Sequence, residues 1–440
     1  MVALVLGAFV LAALSLLIPW SLAFDPQAWL VWGRDATRLT LDTNSGPSWK
    51  PLPVLVTTPL SVTGDAAPAL WLLLARAAAL LALAGAAVLA ARLAGTVAGV
   101  VAAAAMALSP WWAYNAALGN SEGLLAATVL WAIVAHLDGR HRVALGLGAA
   151  AALLRPEVWP FLAAYCAWSW RAEPASRRAI VAIAIAVPLL WFGPDLLGTG
   201  GAIRANRAAR GTASPRSAAA EDVPGLAVLA DATTLMTVPA VLAAVVAAVI
   251  GSRVVRILAA AAAGWIGLVA VMAQAGYAGN PRYLVAAAAV ASVLAGVGVA
   301  RLGTVASPRR GAAIGGVVLV VAIALVAWSD LRDQAREVGV RADRHAALPE
   351  LIAAAGGRDA LVRCARVRTA SDMRPLVAWE LDIPMLGLDR RPMKPAVVLR
   401  WRPQYAGPVE PVMNPAREGY RLLARAPGWE AWAACRGASR

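Results

Sequence analysis

Charge is scarce in this chain. Asp, Glu, Lys and Arg make up 15% of its 440 residues against 60% hydrophobic residues, and the mean hydropathy is +0.66. That composition excludes an ordinary soluble enzyme. Cysteine is scarcer: three residues, with no Cys-x-x-Cys and no Cys/His cluster at zinc spacing, exclude a disulfide scaffold and a zinc module. Histidine occurs only as His136, His141 and His345, and no Ser/His/Asp set accompanies it. The run from Val2 to Ala23 lacks a basic leader segment and a small-residue cleavage site, so it reads as a retained first span. Gly198 to Gly201 lacks the preceding strand and the following Lys-Ser/Thr of a phosphate loop.

Acidic residues are the minority charge, 25 against 40 basic ones, for a net +15. The cations fall mostly in short joints between apolar runs, where they orient helices and meet anionic lipid heads. Nucleic acid is therefore not the expected partner.

What the chain has in abundance is apolar runs of roughly 17 to 25 residues, the length that crosses about 30 Å of hydrocarbon. Candidate spans lie near 2–23, 67–91, 95–115, 121–137, 143–155, 157–170, 178–194, 226–250, 254–276, 283–300 and 311–328. The expected fold class is a polytopic α-helical membrane protein of about 11 transmembrane helices with a small C-terminal α/β extracytoplasmic domain. The fifth and sixth spans are short, and Arg155-Pro156-Glu157 either separates two half-length helices or kinks one long one.

With those two separate, Arg92, Arg140, Arg142, Arg171, Arg177, Arg178, Arg253, Arg256, Arg301, Arg309 and Arg310 share one side, which is then cytoplasmic. The N-terminus is expected in the cytoplasm of a multi-pass plasma-membrane protein, with outer loops 24–66 and 194–225 and a tail, 329–440, outside. Residues 1–328 form the transmembrane domain. The second loop, with Arg204, Arg207, Arg210 and Arg216, is a flexible basic linker or a lipid-headgroup contact. In the tail, helices are expected near Ala346–Ala355 and Met373–Leu381, and strands over Leu361–Val367, Ala396–Trp401 and Tyr420–Ala426. It carries no catalytic signature and fits a lid or accessory domain. If it is extracytoplasmic, Cys364 and Cys435 can pair.

Polar groups at span ends are costly near a bilayer and need individual explanations. Five collect on the expected outer side. Asp25, in Phe24-Asp25-Pro26 at the exit of the first span, suits a general base or a helix start. Lys50, one of two lysines, opens Lys50-Pro51-Leu52-Pro53 and suits phosphate or snorkelling. Asn120-Ser121-Glu122 suits helix capping or sugar hydroxyls. Arg155-Pro156-Glu157 suits an internal ion pair or a substrate phosphate. Asn280-Pro281-Arg282-Tyr283 suits an interfacial anchor or a phosphate contact.

The order of these residues is similar to that of the GT-C superfamily of polyprenyl-phosphate-dependent membrane glycosyltransferases, especially protein O-mannosyltransferases and lipid A aminoarabinose transferases. That branch has Asp-Glu at the start of the first outer loop and Lys-Pro-Pro-Leu at its end. Here Asp25-Pro26 and Lys50-Pro51-Leu52 stand in those places, followed by Gly64-Asp65, Arg76 and a weaker echo at Asn280 to Tyr283. The resemblance implies sugar transfer from a polyprenyl-phosphate donor to a hydroxyl of a cell-envelope glycan, lipid or protein. Asp25 would be the base, with Asp35 and Asp42 in reserve and Glu122 and Glu157 orienting the acceptor. Lys50, Arg155 and Arg282 would hold the donor phosphate. No cofactor is expected; a divalent metal at Asp25 stays open, although no adjacent second carboxylate would hold it. The alternatives are a transporter or flippase for lipid-linked sugars, which would spread polar residues to both sides of the midplane, and a noncatalytic scaffold.

Overall fold

The structure is a computed structural model that describes residues 2–199, 217–306, 310–364, 366–385, 388–389, 396–401 and 414–435. The basic stretch from Arg204 to Arg216 lies outside them. In the N-terminal half the helices are α1 (Val2–Leu14), α2 (Phe24–Thr37), α3 (Pro51–Ser61), α4 (Ala67–Ala94), α5 (Thr96–Ala107), α6 (Pro110–Ala117), α7 (Glu122–Leu137), α8 (His141–Ala152), α9 (Trp159–Ala172) and α10 (Arg177–Thr199). The rest are α11 (Pro224–Met236), α12 (Val238–Ile250), α13 (Arg253–Gln274), α14 (Val285–Ala306), α15 (Arg310–Ala354), α16 (Arg358–Cys364) and α17 (Arg374–Glu380).

Helix α14 is the axis of the bundle. Its apolar run is 83% buried, where the other four candidate spans are 22 to 44% buried. Small residues make this possible: a Cβ on Gly296 would stand 2.2 Å from the Ala98 carbonyl oxygen of α5, and one on Gly298 would stand 2.0 Å from that of Ala243 in α12. Backbones in such close contact gain the van der Waals packing that helps helices associate in lipid.

The chain is a mostly helical, polytopic membrane protein. Among the described residues, five helices are long and apolar enough to cross a membrane, or seven if each bent pair is one span. Several runs that read as single spans are interrupted. The run 95–115 bends by 66° between α5 and α6, and 226–250 bends by 98° between α11 and α12. In each case proline opens the second helix, Pro110 or Pro239, and forbids a straight continuation. The first run is helical only to Leu14, followed by a 3-10 turn over Ser15–Leu17 and an extended Ile18 before Pro19. At Pro156–Val158 a 3-10 turn separates α8 from α9, so the fifth and sixth runs are two helices.

Helix α15 passes Trp328 without a break and carries the chain into the tail. There the strands β1 (Arg366–Arg368), β2 (Leu388–Asp389), β3 (Ala396–Trp401), β4 (Arg421–Ala426) and β5 (Trp429–Ala434) form one sheet in the order β2-β1-β3-β5-β4. β1 is parallel to β2 and β3, and β5 is antiparallel to β3 and β4. The expected strand Leu361–Val367 is instead the end of α16 followed by β1. Gly356 and Gly357, with φ of 101° and 86°, turn the chain sharply enough to start a new helix at Arg358. A disulfide joins Cys364 at the end of α16 to Cys435 after β5.

Candidate active site

Five separated segments meet at one end of the bundle. The backbone N–H of Ala23 donates to the Leu118 carbonyl at 3.0 Å, which fixes where α2 begins. Asp25 follows on its first turn, 6% exposed. Lys50 precedes Pro51, and the residue before proline is held extended, here at φ −134° and ψ 113°. Trp49 anchors it by donating its indole N–H to the Leu190 carbonyl at 3.0 Å. Gly119, with φ +70°, makes the tight turn into α7, and Trp71 donates to its carbonyl. A Cβ there would lie 2.8 Å from Leu22. The turn delivers Ser121 and Glu122 to the site. Arg155 precedes Pro156 and is extended for the same reason as Lys50. Arg282 stands on the 3-10 turn Pro281–Leu284.

The contacts form an Arg282–Asp25 pair and, beside it, a run of alternating charge from Lys50 through Glu122 and Arg155 to Glu157. Arg282 Nη1 lies 2.8 Å from Asp25 Oδ2. Arg155 donates to Glu122 at 2.9 Å and to Glu157 at 3.4 Å, and its guanidinium lies 4.3 Å from the Tyr283 ring centroid. Lys50 Nζ donates to Ser121 Oγ at 3.0 Å, lies 4.0 Å from Glu122 Oε1 and sits 5.1 Å from the Trp29 ring centroid. Burial draws the Lys50 ammonium down to about 8, against the opposing pull of Glu122. Three cations thus face three carboxylates in a site that is buried except at Arg282, whose side chain is 27% exposed, and each charge is compensated by its neighbours.

Several buried polar atoms here have no hydrogen-bond partner: Trp29 Nε1, Asn120 Oδ1, Glu122 Oε2, Arg155 Nε and Glu157 Oε2. Unpaired polar atoms at such density are costly for a purely structural core and are available to a polar ligand. Among the described residues, no group of three or more His, Cys, Asp or Glu is placed to hold a metal. A cavity of about 600 Å³ lies at the start of α11, lined by Ser217, Glu221, Asp222, Leu226 and Asp231. Ala218, also in its lining, donates its N–H to the Gly279 carbonyl.

Asp25, Lys50, Glu122, Arg155, Glu157 and Arg282 are therefore brought together, whereas Asp35 and Asp42 stand apart. Asp35 is buried near the other end of α2, 3.3 Å from Arg34. Asp42 accepts from the Asn44 backbone N–H at 2.6 Å and shapes the loop. A further buried acid, Asp195, accepts from Thr43 Oγ1 at 2.9 Å and ties that loop to α10. It sits at the end of a span and was open to the same span-end reasoning as Asp25.

Compared with solved structures, the chain matches ArnT from Cupriavidus metallidurans bound to undecaprenyl phosphate with a TM-score of 0.63 and 14% identity, over 100% of this chain and 98% of that one. The chain has the ArnT fold. The apo state of the same protein matches with a TM-score of 0.61 and 14% identity, over 98% of this chain and 97% of that one. No family model matches the sequence, and no curated protein matches it. The likeness to the ArnT fold runs along the whole chain, tail included.

Proposed function

We propose that the protein is a membrane glycosyltransferase that moves a sugar from a polyprenyl-phosphate donor to an acceptor hydroxyl on the extracytoplasmic side. The observation that carries this is the charge cluster: three cations and three carboxylates, drawn from five segments, meet at one end of an ArnT fold. Undecaprenyl phosphate, bound by ArnT in the matching structure, is the donor carrier this reading assigns. On this reading the runs of the sequence make eleven crossings, with the tail outside the plasma membrane. The Cys364–Cys435 disulfide fits an oxidising compartment.

The chemistry follows from the residues. The donor's phosphate is already a stable leaving group, so Lys50, Arg155 and Arg282 have only to neutralise the charge it gains as the anomeric C–O bond breaks. Asp25 accepts the proton of the acceptor hydroxyl as that oxygen bonds to the anomeric carbon. One displacement of this kind inverts the anomeric centre. In the resting state Arg282 holds Asp25 as an ion pair, which occupies the carboxylate. A phosphate that draws Arg282 towards itself frees the carboxylate, so the base is released by the donor it serves.

The test is sugar transfer in proteoliposomes from radiolabelled polyprenyl-phosphate donors extracted from membranes. Asp25→Asn is expected to lower the rate by about 10²- to 10⁴-fold, the usual contribution of a general base, while undecaprenyl phosphate still binds. Equal transfer by Asp25→Asn removes it as the base; no transfer by the wild type with any such donor removes the function.

A further inference from the structure

Helix α2 is held at its far end by the tail. Asp25 is on its first turn; Arg34 and Arg38 lie at its other end, roughly 14 to 20 Å along the axis at 1.5 Å per residue. Arg34 reaches into the turn that follows α17. It donates to the Ala378 carbonyl at 3.3 Å and the Ile383 carbonyl at 2.7 Å, lies 3.0 Å from Asp382, and sits 5.6 Å from the Trp379 ring centroid. Arg38 grips the same Asp382 with two hydrogen bonds, at 2.9 and 3.1 Å. Asp382 takes a left-handed backbone, φ +57°, to present its carboxylate there, a conformation that costs a non-glycine residue about 1 kcal/mol or more.

The grip extends to Lys50 because α2 and α3 are one unit. Thr57 Oγ1 donates to the Trp29 carbonyl at 2.7 Å, and a Cβ on Gly33 would stand 2.6 Å from the Thr57 backbone. At the site end, α2 is fixed by Ala23 and by the Arg282–Asp25 pair. Once Arg282 turns to a phosphate, that pair is gone, and the direction of α2 is set more by its far end.

We propose that the tail sets the attitude of the α2–α3 unit through Asp382, which makes Asp382 and Arg34 positioning residues for Asp25 and Lys50, a reading that rests on the proposed transfer reaction. The tail is then a working part of the site rather than a cover over it. It also accounts for the composition of α2, whose Arg34 is 6% exposed and lies on the tail side of the helix.

The full chain in lipid nanodiscs provides the test, with Asp382→Asn and Asp382→Gly. Asparagine and glycine both tolerate the left-handed turn, so neither change breaks it, and both remove the carboxylate. Three quantities are read: hydrogen exchange at residues 25–30, binding of undecaprenyl phosphate, and turnover with radiolabelled polyprenyl-phosphate donors. In both variants, exchange at residues 25–30 should rise at least about tenfold and turnover should fall about tenfold or more, a size typical of a slightly misplaced catalytic group. Undecaprenyl phosphate should bind severalfold more weakly in both variants, through the displaced Lys50, while the protection of β3 and β5 stays as in the wild type. Unchanged exchange at 25–30 overturns the proposal, whatever turnover does, and so does raised exchange with undiminished turnover. If the wild type transfers nothing, the glycosyltransferase reading fails by itself, and exchange together with undecaprenyl phosphate affinity decides whether the tail holds α2.

Discussion

Lys50 is the residue at which the electrostatics of the site are easiest to measure. Its ammonium is buried and titrates near 8, so it is charged at neutral pH and loses its proton as pH rises through that value. A phosphate monoester has its second pKa near 6 and is already a dianion above pH 7, so the ligand contributes no change in this range. Binding of undecaprenyl phosphate should therefore weaken severalfold between pH 7 and pH 10, as one of three cations is lost. Lys50→Arg, which keeps its charge throughout, should flatten the profile, as isothermal titration can show. If the arginine variant keeps the wild-type slope, some other group governs it. Lys50 was legible in the sequence because a lone lysine between apolar runs has few explanations. Its pairing with Glu122, itself a candidate at a span end, was not, because nothing in the spacing of the two says that Gly119 turns α7 towards Lys50.

At the scale of helices, hydropathy locates apolar segments but not their breaks. The run 226–250 is apolar nearly throughout, yet the chain turns by 98° at Thr237. The signal was Pro239, which disfavours helix in the residue before it and forbids the bond back to the preceding turn. Thr237 absorbs the bend with φ +62° and ψ 140°, a conformation suited to glycine, and its buried hydroxyl has no hydrogen-bond partner. Strain of this kind costs about 1 to 3 kcal/mol, and a buried unpaired hydroxyl adds to it. Glycine gives back about 0.5 to 1 kcal/mol through the unfolded chain. Thr237→Gly should therefore stabilise the protein by about 1 kcal/mol, seen as a higher midpoint of thermal unfolding in micelles. A lower midpoint would mean that the threonine holds the bend through contacts stronger than its strain. In the tail, Ala396–Trp401 was legible as a strand from its β-branched residues, whereas Leu361–Val367, seven residues with apolar and basic positions mixed, fits either structure by pattern alone.

Across the whole molecule, α15 is the connecting strut. Its 45 residues extend about 68 Å at 1.5 Å per residue, more than twice the hydrocarbon thickness of a bilayer, so it stands well clear of the bundle. Where it emerges, Tyr114 donates to Glu337 at 2.6 Å, Arg341 pairs with the same carboxylate at 2.9 Å, and His345 meets Trp20 edge-on at 5.3 Å. These contacts, with the grip of Asp382 on α2, put the tail at the same end of the bundle as the charge cluster. The side of the membrane is thus one question for the tail, the first loop and the site together. Leu39, 94% exposed in that loop, and Arg140, exposed in the α7–α8 turn at the opposite end of α7 from Glu122, are suited to answer it. A membrane-impermeant maleimide added to intact cells should label Leu39→Cys and leave Arg140→Cys untouched until the cells are opened. The opposite pattern would put the charge cluster in the cytosol, where the Cys364–Cys435 disulfide would face reducing conditions and an extracytoplasmic acceptor would have no access to Asp25.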